Sequence, residues 1–181
     1  MPQHQLSIRE MENHDIPPLS DYWFSASPGY LISMGVDLAK MPSRVQWENM
    51  LREQIATPIA QKQSYCFIWE LNGAAVGHSN VNNIVPGSEA YMHLHIWKPQ
   101  VRRMGLGSHF IKLTLPHFFK NLGLKTLYCE PYSLNPAPNK TLEKIGFRFD
   151  KTHLTTPSSI NFEQQVNRWK ITAEDLPAIC Y

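Results

Sequence analysis

Three histidines and two asparagines recur at alternate positions of two successive extended segments. His93 and His95 alternate with apolar residues in the second segment, and His78, Asn80 and Asn82 alternate in the first. Because alternate residues of a strand face the same side of its sheet, we expect these five side chains on one face. An imidazole, with a pKa of about 6.5, is suited to accept a proton near neutral pH. The pattern therefore indicates proton-transfer chemistry.

A turn at Pro86-Gly87 predicts how the two segments pair. Antiparallel pairing about that turn places His78 opposite His95 and Asn80 opposite His93. So many polar groups are costly to bury on one face unless they serve a purpose. We therefore expect a functional site on this face of the sheet.

His93 and His95 are the candidate catalytic bases, with the carboxylates of Glu89 and Glu70 behind them. For each histidine, the alternative is a structural residue held by hydrogen bonds. A zinc site built from His78, His93 and His95 is a further alternative on geometric grounds.

The segment Arg102-Arg103-Met104-Gly105-Leu106-Gly107 lies between the second extended segment and a helical apolar pattern. Its glycines allow the backbone to approach a ligand closely, and the first amides of a helix have no partner within the helix. The helix dipole and the arginines add positive potential. We therefore expect a ligand that carries phosphate groups. The motif is neither a dinucleotide fingerprint, which needs three glycines after the first strand, nor a Walker loop, which needs a lysine after its second glycine.

The elements around these motifs predict an α/β (α+β) fold, in a single domain that spans residues 1–181. Its sheet is expected to be mixed and mainly antiparallel, with one parallel crossover. The predicted strands cover residues 6–11, 65–71, 74–85, 89–97, 126–130, 147–154 and 162–171.

Turn and cap signals place the other elements. Asn72-Gly73 predicts a hairpin, and Asp15 is expected to cap a helix that leads into an irregular aromatic segment at 22–30. Ser43 is expected to cap a second helix. The apolar residues expected on one side of that helix are Val45, Trp47, Met50, Leu51 and Ile55.

Composition limits the classes of function. The 181 residues are 43% hydrophobic, with 17 basic and 15 acidic side chains. This balance of charge argues against a nucleic-acid partner, and no apolar run is long enough to span a membrane. Three widely spaced cysteines indicate neither a disulfide framework nor a metal site, so we expect a cytoplasmic protein.

Two segments together resemble signatures of the GNAT acetyltransferase superfamily. Residues 99–107, with Arg102, Gly105 and Gly107, are similar to its acyl-CoA pyrophosphate loop. Residues 135–147, which start with Asn135 and end Glu-Lys-Ile-Gly-Phe, are similar to its second signature. Among the members of the superfamily, the chain most resembles the ribosomal-protein N-acetyltransferases.

The resemblance implies that central strands splay to form a cleft for acetyl-CoA, the co-substrate, and that no metal takes part. It implies a backbone amide near Trp97 as the donor to the developing oxyanion. The residues implied for the cofactor are Ile96, Trp97 and Lys98 along the pantetheine arm, Arg102, Arg103, Met104, Gly105, Leu106, Gly107 and Ser108 around the pyrophosphate, and Asn135 beside the arm.

The acceptor pocket is implied to lie in the aromatic segment, with Tyr22, Trp23 and Tyr30. We add His78 and Asn80, which are expected on the same face of the sheet as His93 and His95, to this set of substrate residues. The alternative for the aromatic residues is plain core packing.

One position departs from the family pattern. Many members carry a Tyr seven residues after the Asn, where it protonates the departing CoA thiolate, and this chain has Leu142 there. Water, or the hydroxyl of Tyr132 or Ser133, would have to serve instead, and a thiolate leaves readily enough near neutral pH to allow turnover.

The resemblance implies transfer of an acetyl group from acetyl-CoA to a primary amine, by direct attack in a ternary complex. The amine belongs either to a small molecule, such as a polyamine or an aminoglycoside, or to a protein N-terminus, and a homodimer is compatible with the sequence. A non-catalytic acyl-CoA-binding module is the alternative, which Leu142 keeps open.

Overall fold

The computed structural model describes residues 4–102 and 104–180, and its strands form one seven-stranded sheet. The strands are β1 (Leu6–Glu10), β2 (Tyr65–Leu71), β3 (Ala74–Val85), β4 (Glu89–Ile96), β5 (Thr126–Cys129), β6 (Arg148–Thr155) and β7 (Gln164–Thr172). They lie in the order β1-β2-β3-β4-β5-β7-β6. All neighbours are antiparallel except β4 and β5. This arrangement confirms the predicted mixed sheet with one parallel crossover.

Helices cover both faces of the sheet. They are α1 (Ile16–Phe24), α2 (Pro28–Ser33), α3 (Arg44–Ala56), α4 (Leu106–Leu122), α5 (Pro136–Ile145) and α6 (Leu176–Cys180). One core lies under α4 and α5, where the ring of Phe110 stacks on Trp69 of β2 at 5.1 Å. A second core lies under α1, α2 and α3, against Cys66 and Ile68 of β2. Because alternate residues of β2 enter the two cores, the strand is apolar on both faces.

The predicted register of the central hairpin is confirmed. In the β3–β4 pair, His78 lies opposite His95 and Asn80 lies opposite His93. Both histidines of β4 face the helices α1 and α2 rather than α4, because Met92, on the other face of β4, belongs to the α4 core. The register therefore brings the polar side chains of two strands together under α1 and α2.

β4 and β5 pair over only part of the length of β4. Residues Glu89 to Met92 pair with Thr126 to Cys129, and β5 then ends while β4 continues to Ile96. The last four residues of β4 thus have an edge that no β5 residue covers. This divergence is the splay that the sequence resemblance implies.

The aromatic segment at 22–30 is helical at both ends, so the prediction of an irregular segment is wrong. Tyr22 and Trp23 lie in the last turn of α1, and Tyr30 lies in α2. Ser27 caps α2, since its hydroxyl accepts a hydrogen bond from the amide of Tyr30 at 3.3 Å. The sequence signal for this helix is Ser27 followed by Pro28, a cap and a first-turn proline.

Two other local predictions need correction. Ser43 caps α3 as predicted, but Val45 is 68% exposed and Met50 is 44% exposed, because α3 packs mainly on α1 and buries a narrower stripe around Leu51. The carboxylate of Asp15 does not cap α1. It accepts hydrogen bonds from Arg9 and from the amide of Glu12 instead.

No helix among the described residues is long and apolar enough to cross a membrane. All three cysteines are free thiols, and Cys66 and Cys129 are buried. Burial raises the pKa of the Cys129 thiol to about 12.

Candidate active site

A cavity of about 460 Å³ lies between the sheet and the helices α1 and α3. The floor of the cavity is the sheet face that carries His78, Asn80, Asn82, His93 and His95, here termed the histidine face. The cavity extends to the place where β4 and β5 diverge, since Leu94, Cys129 and Pro131 also line it. One continuous space therefore joins the histidines to the opening between the strands.

His93 is held by an amide on the neighbouring strand. Its Nε2 lies 3.1 Å from Oδ1 of Asn82. An amide oxygen only accepts hydrogen bonds, so Nε2 carries the proton and Nδ1 keeps its lone pair. Burial lowers the pKa of His93 to about 4. The ring is therefore neutral at physiological pH and can accept a proton at Nδ1.

His95 is held from the opposite side of the cavity by α1. Its Nδ1 lies 3.1 Å from the hydroxyl of Tyr22, and its ring centroid lies 4.8 Å from that of Trp23. Burial, followed by the charges of His78, His93 and Arg102, lowers the pKa of His95 well below the ordinary value. Since Nδ1 is engaged by Tyr22, Nε2 is the nitrogen left for proton transfer.

His78 is a structural partner of this pair. The indole Nε1 of Trp97 donates a hydrogen bond to His78 Nδ1 at 2.7 Å, which places the His78 proton on Nε2. Burial lowers the pKa of His78 to about 3. Within residues 4–102 and 104–180, no group of three His, Cys, Asp or Glu side chains is placed to hold a metal ion.

The two carboxylates expected behind the histidines do not lie in the cavity wall. Glu89 begins β4, about 13 Å along the strand from His93 at the usual rise per residue. Glu70 lies on β2, where its carboxylate accepts hydrogen bonds from Ser7 and Arg9. The position of Glu70 on its strand does not reveal its ion pair, because Arg9 and Glu70 are 61 residues apart in sequence.

The aromatic residues expected in the acceptor pocket form a connected group beside His95. The hydroxyl of Tyr22 lies 3.3 Å from that of Tyr30 and 3.4 Å from Sδ of Met34. Trp23 lines the cavity, as does Asn80, whose amide reaches Ser64 at 3.4 Å. Burial, chiefly, raises the pKa of Tyr22, so its hydroxyl stays protonated.

The glycine turn leads directly into α4. Gly105 has a φ of +75°, and it precedes the first helical residue, Leu106. No side chain caps this end of the helix, so its first amides are available to an anion. The hydroxyl of Ser108 donates to the Gly105 carbonyl at 2.9 Å.

Gly107 lies in the first turn of α4 beside open space. A Cβ at Gly107 would contact only Ile96 Cδ1, at the ordinary distance of 3.8 Å, and its φ is not in the left-handed region. The protein fold itself therefore has room for a side chain. Glycine within a helix costs about 0.5–1 kcal/mol relative to alanine, so the packing of the described residues gives no reason for a glycine at this position.

Arg102 is not directed at this helix end. Its amide donates to Pro99 O at 3.1 Å, its guanidinium lies over the ring of Tyr30 at 4.6 Å, and its Nε donates to Ile96 O at 3.0 Å. The side chain and the amide of Arg102 are thus engaged by the protein itself, and its contact with the pyrophosphate stays a prediction. The amide of Met104 is also engaged, with Val101 O at 3.5 Å. Arg103 lies outside the described residues.

The edge of β4 that faces the opening consists of Leu94 and Ile96. The amide of Trp97 donates to Val76 O on β3 at 2.8 Å, so it is not the oxyanion donor expected near this position. Hydrogen-bonding directions alternate along a strand, and the amides and carbonyls of Leu94 and Ile96 therefore point away from β3, towards the opening. Lys98 begins the short turn beyond, where its carbonyl accepts from Val101.

The second motif is anchored by a buried amide. Asn139 donates to the carbonyls of Asn135 and Tyr132 at 2.8 and 3.2 Å, and its Oδ1 accepts from Trp169 at 2.9 Å. Asn135 begins α5 without a side-chain cap and lines the cavity, as does Tyr132. Leu142 is fully buried in the core under α4 and α5.

Sequence reasoning missed several parts of the site. These are the exposed backbone edge at Leu94, the anchor at Asn139, the link from Arg102 to Tyr30, and the wall formed by residues 157–161. An Asn in the middle of an amphipathic helix was the one available signal for Asn139. The other features depend on contacts between distant parts of the chain.

Comparisons with known proteins agree with this geometry. Residues 5–148 match the family model described as an acetyltransferase (GNAT) domain. No curated protein sequence matches the chain closely enough to count as a relative.

Among solved structures, the fold is similar to that of spermidine N-acetyltransferase from Vibrio cholerae in complex with CoA and spermine, with a TM-score of 0.77 and 19% identity over 96% of this chain and 98% of that one. It is similar to Mycobacterium smegmatis RimJ in complex with CoA-disulfide, with a TM-score of 0.77 and 18% identity over 95% and 84% of the two chains. The third is RimL, a ribosomal L7/L12 alpha-N-protein acetyltransferase in complex with CoA, with a TM-score of 0.73 and 14% identity over 92% and 93%.

At these identities the structural matches establish the fold, and the family model, which covers most of the chain, establishes the enzyme class. The chain belongs to the GNAT family of acetyltransferases and is an acyl-CoA-dependent N-acetyltransferase, with acetyl-CoA as its co-substrate.

Proposed function

We propose that this enzyme transfers an acetyl group from acetyl-CoA directly to a primary amine that lies in the cavity, within a ternary complex. The observation that carries the proposal is the continuity of the cavity from the histidine face to the opening between β4 and β5. Both reactants can meet there without a covalent enzyme intermediate.

The residues around this opening fit acetyl-CoA. The first amides of α4, from Gly105 to Ser108, would hold the pyrophosphate, and Gly107 leaves room for it. The free edge of β4 would pair with the pantetheine arm through Leu94 and Ile96. Since Arg102 donates to the Ile96 carbonyl, its side chain has to move before the arm can use that carbonyl.

A neutral amine has to attack the thioester, because an ammonium has no lone pair. An alkylamine has a pKa of about 10.4, so it arrives protonated and needs a proton acceptor. His93 Nδ1 and His95 Nε2 are neutral and lie in the cavity wall. A neutral imidazole first takes one proton from the ammonium. As the new N–C bond forms and the C–S bond breaks, the amine nitrogen loses a second proton, which reaches the departing thiolate through water or Tyr132.

The negative charge that develops on the thioester oxygen needs a donor. The amides of Leu94 and Ile96 point towards the opening, whereas the amide of Trp97 is already bonded to β3. We assign the donor role to the amide of Leu94, which lines the cavity, and leave that of Ile96 to the pantetheine arm. A fixed backbone donor of this kind contributes about 2.7–4 kcal/mol of transition-state stabilisation in enzymes.

The direct transfer is tested by kinetics and by the mass of the products. Initial rates measured over a grid of acetyl-CoA and amine concentrations should give intersecting reciprocal plots, and the amine should gain one acetyl group. Incubation with acetyl-CoA alone is the control, and the protein mass should stay unchanged. Parallel plots, together with an acetylated protein, would exclude direct transfer in favour of a covalent route.

A further inference from the structure

The cavity wall carries few charges, and together with Arg168, which is paired with Glu130, they sum to zero. Within the described residues, the side chains of the wall that are charged at neutral pH are Glu10, Lys62 and Glu130. A pocket for a substrate with several ammonium groups needs a net negative charge to compensate them. The partners of these three side chains therefore indicate which amines the enzyme accepts.

Glu130 is paired with a cation of the protein. Arg168 Nε donates to its carboxylate at 2.5 Å, and His153 Nε2 lies 2.8 Å from the same oxygen. The Glu130 side chain is 6% exposed. Because Arg168 supplies the balancing charge, Glu130 offers no net negative charge to a ligand.

Glu10 is exposed, and a hydroxyl rather than a cation holds its carboxylate. The carboxylate accepts a hydrogen bond from the hydroxyl of Tyr65 at 2.5 Å, and Lys62 lines the same cavity. Lys62 donates to the carbonyls of Gln54 and Ile55. This end of the cavity thus carries one negative and one positive charge.

The part of the wall that α1, α3 and the adjoining methionines form is mainly apolar and aromatic. It is formed by Met11, Met34, Met50, Trp23 and Trp47, with Leu51 behind them. Such a surface gains free energy by covering hydrocarbon, about 25 cal/mol for each Å² removed from water. Thioether side chains also adapt to ligands of different shape.

We propose that the acceptor is an amine with a single positive charge and an apolar body, rather than a polyamine or an aminoglycoside. This inference rests on the proposed acetyl transfer in the cavity. The one ammonium passes a proton to the histidine face, from which the proton leaves to solvent. A second ammonium would stay charged in a wall that carries no net negative charge.

Two sources share this chemistry: a small arylalkylamine and the N-terminus of a peptide that begins with an apolar residue. A matched set of amines distinguishes them from each other and from charged acceptors. The set is 2-phenylethylamine, a peptide that starts with Phe, spermidine, and ethanolamine as a polar monoamine. Product is measured by mass, and kcat/KM is measured for each amine.

We expect 2-phenylethylamine or the Phe peptide to exceed both spermidine and ethanolamine in kcat/KM by at least about tenfold, which corresponds to 1.4 kcal/mol. The better of the two identifies the source. An equal or higher value for spermidine or ethanolamine would overturn the inference while leaving acetyl transfer intact. Binding of acetyl-CoA without acetylation of any amine would instead remove the proposed function, and the inference with it.

A variant of the wall tests the same inference without relying on loss of activity. Met50→Glu places an unpartnered carboxylate in the wall at a half-exposed position on α3. It should raise the ratio of kcat/KM for spermidine to that for 2-phenylethylamine by about tenfold. Val45→Glu, on the same helix but outside the wall, is the control and should leave the ratio unchanged. An equal effect of both variants would show that the wall does not select by charge.

Discussion

His78 and His95 lie directly opposite each other on β3 and β4, with their rings nearly parallel and their centroids 5.0 Å apart. Trp97 holds one ring and Tyr22 holds the other. Protonation of either ring would place a charge in a buried site next to its partner, and burial is the main reason that both pKa values are low. The histidine face is therefore a set of neutral bases at physiological pH.

This arrangement predicts that acid destabilises the fold. The folded-state pKa values of His78 and His93 are about 3 and about 4, below the ordinary 6.5. Between these values the unfolded chain binds more protons, so stability is complete above pH 6.5 and falls as the pH is lowered. The free energy of unfolding, measured with urea, should drop by about 1–2 kcal/mol for each histidine between pH 6.5 and 5.

His93→Gln is the matched variant for this measurement. Glutamine does not titrate and retains a donor for Asn82, so the pH dependence of the variant should be less steep by about 1–2 kcal/mol over the same range. Parallel stability curves for the variant and the parent would contradict the low pKa of His93.

The histidine face also predicts the effect of mutation on turnover. His93→Gln and His95→Gln, made separately, test the two candidate bases. Removal of the true base should lower kcat by at least about 100-fold, while the Kd for acetyl-CoA stays unchanged because neither side chain contacts α4. His14→Gln, an exposed position outside the cavity, is the control. Unchanged kcat in both variants would eliminate them as bases.

The pH dependence of the rate gives a separate prediction. Since burial holds the pKa of both candidate bases below the ordinary value of a histidine, kcat/KM should follow the ionisation of the amine and rise steadily through neutral pH. We expect no inflection near 6.5, the pKa of an unperturbed histidine. A clear inflection there would mean that the catalytic imidazole is solvated rather than buried.

Gly107 predicts opposite effects on stability and on ligand affinity. Gly107→Ala should stabilise the free protein by about 0.5–1 kcal/mol, because alanine favours a helix and the Cβ has room. It should raise the Kd for CoA, measured by calorimetry, by about tenfold or more, since the Cβ occupies the space proposed for the pyrophosphate. Gly29→Ala, in the first turn of the exposed helix α2, is the control and should leave the Kd as it is. Unaltered CoA affinity in Gly107→Ala would contradict the site at α4.

The sequence by itself determined the central hairpin and the glycine turn. The register of His78 with His95 follows from strand alternation and the Pro86-Gly87 turn, and both are properties of a short stretch of chain. The turn at Gly105 and the start of α4 are local in the same way. The segment that begins at Asn135 added the resemblance to the GNAT family, and the model of that family matches residues 5–148.

Only the tertiary structure decided which polar groups are available to a substrate. Arg102 is turned towards Tyr30, and Glu70 is paired with Arg9. Each of these contacts joins residues that are distant in sequence, so no local pattern contains them. The neutral state of the histidines has the same origin, because burial by α1 and by the neighbouring strands sets their pKa values. Spacing along the chain gave the positions of the chemical groups, and packing between distant elements set their charge and their hydrogen-bond partners.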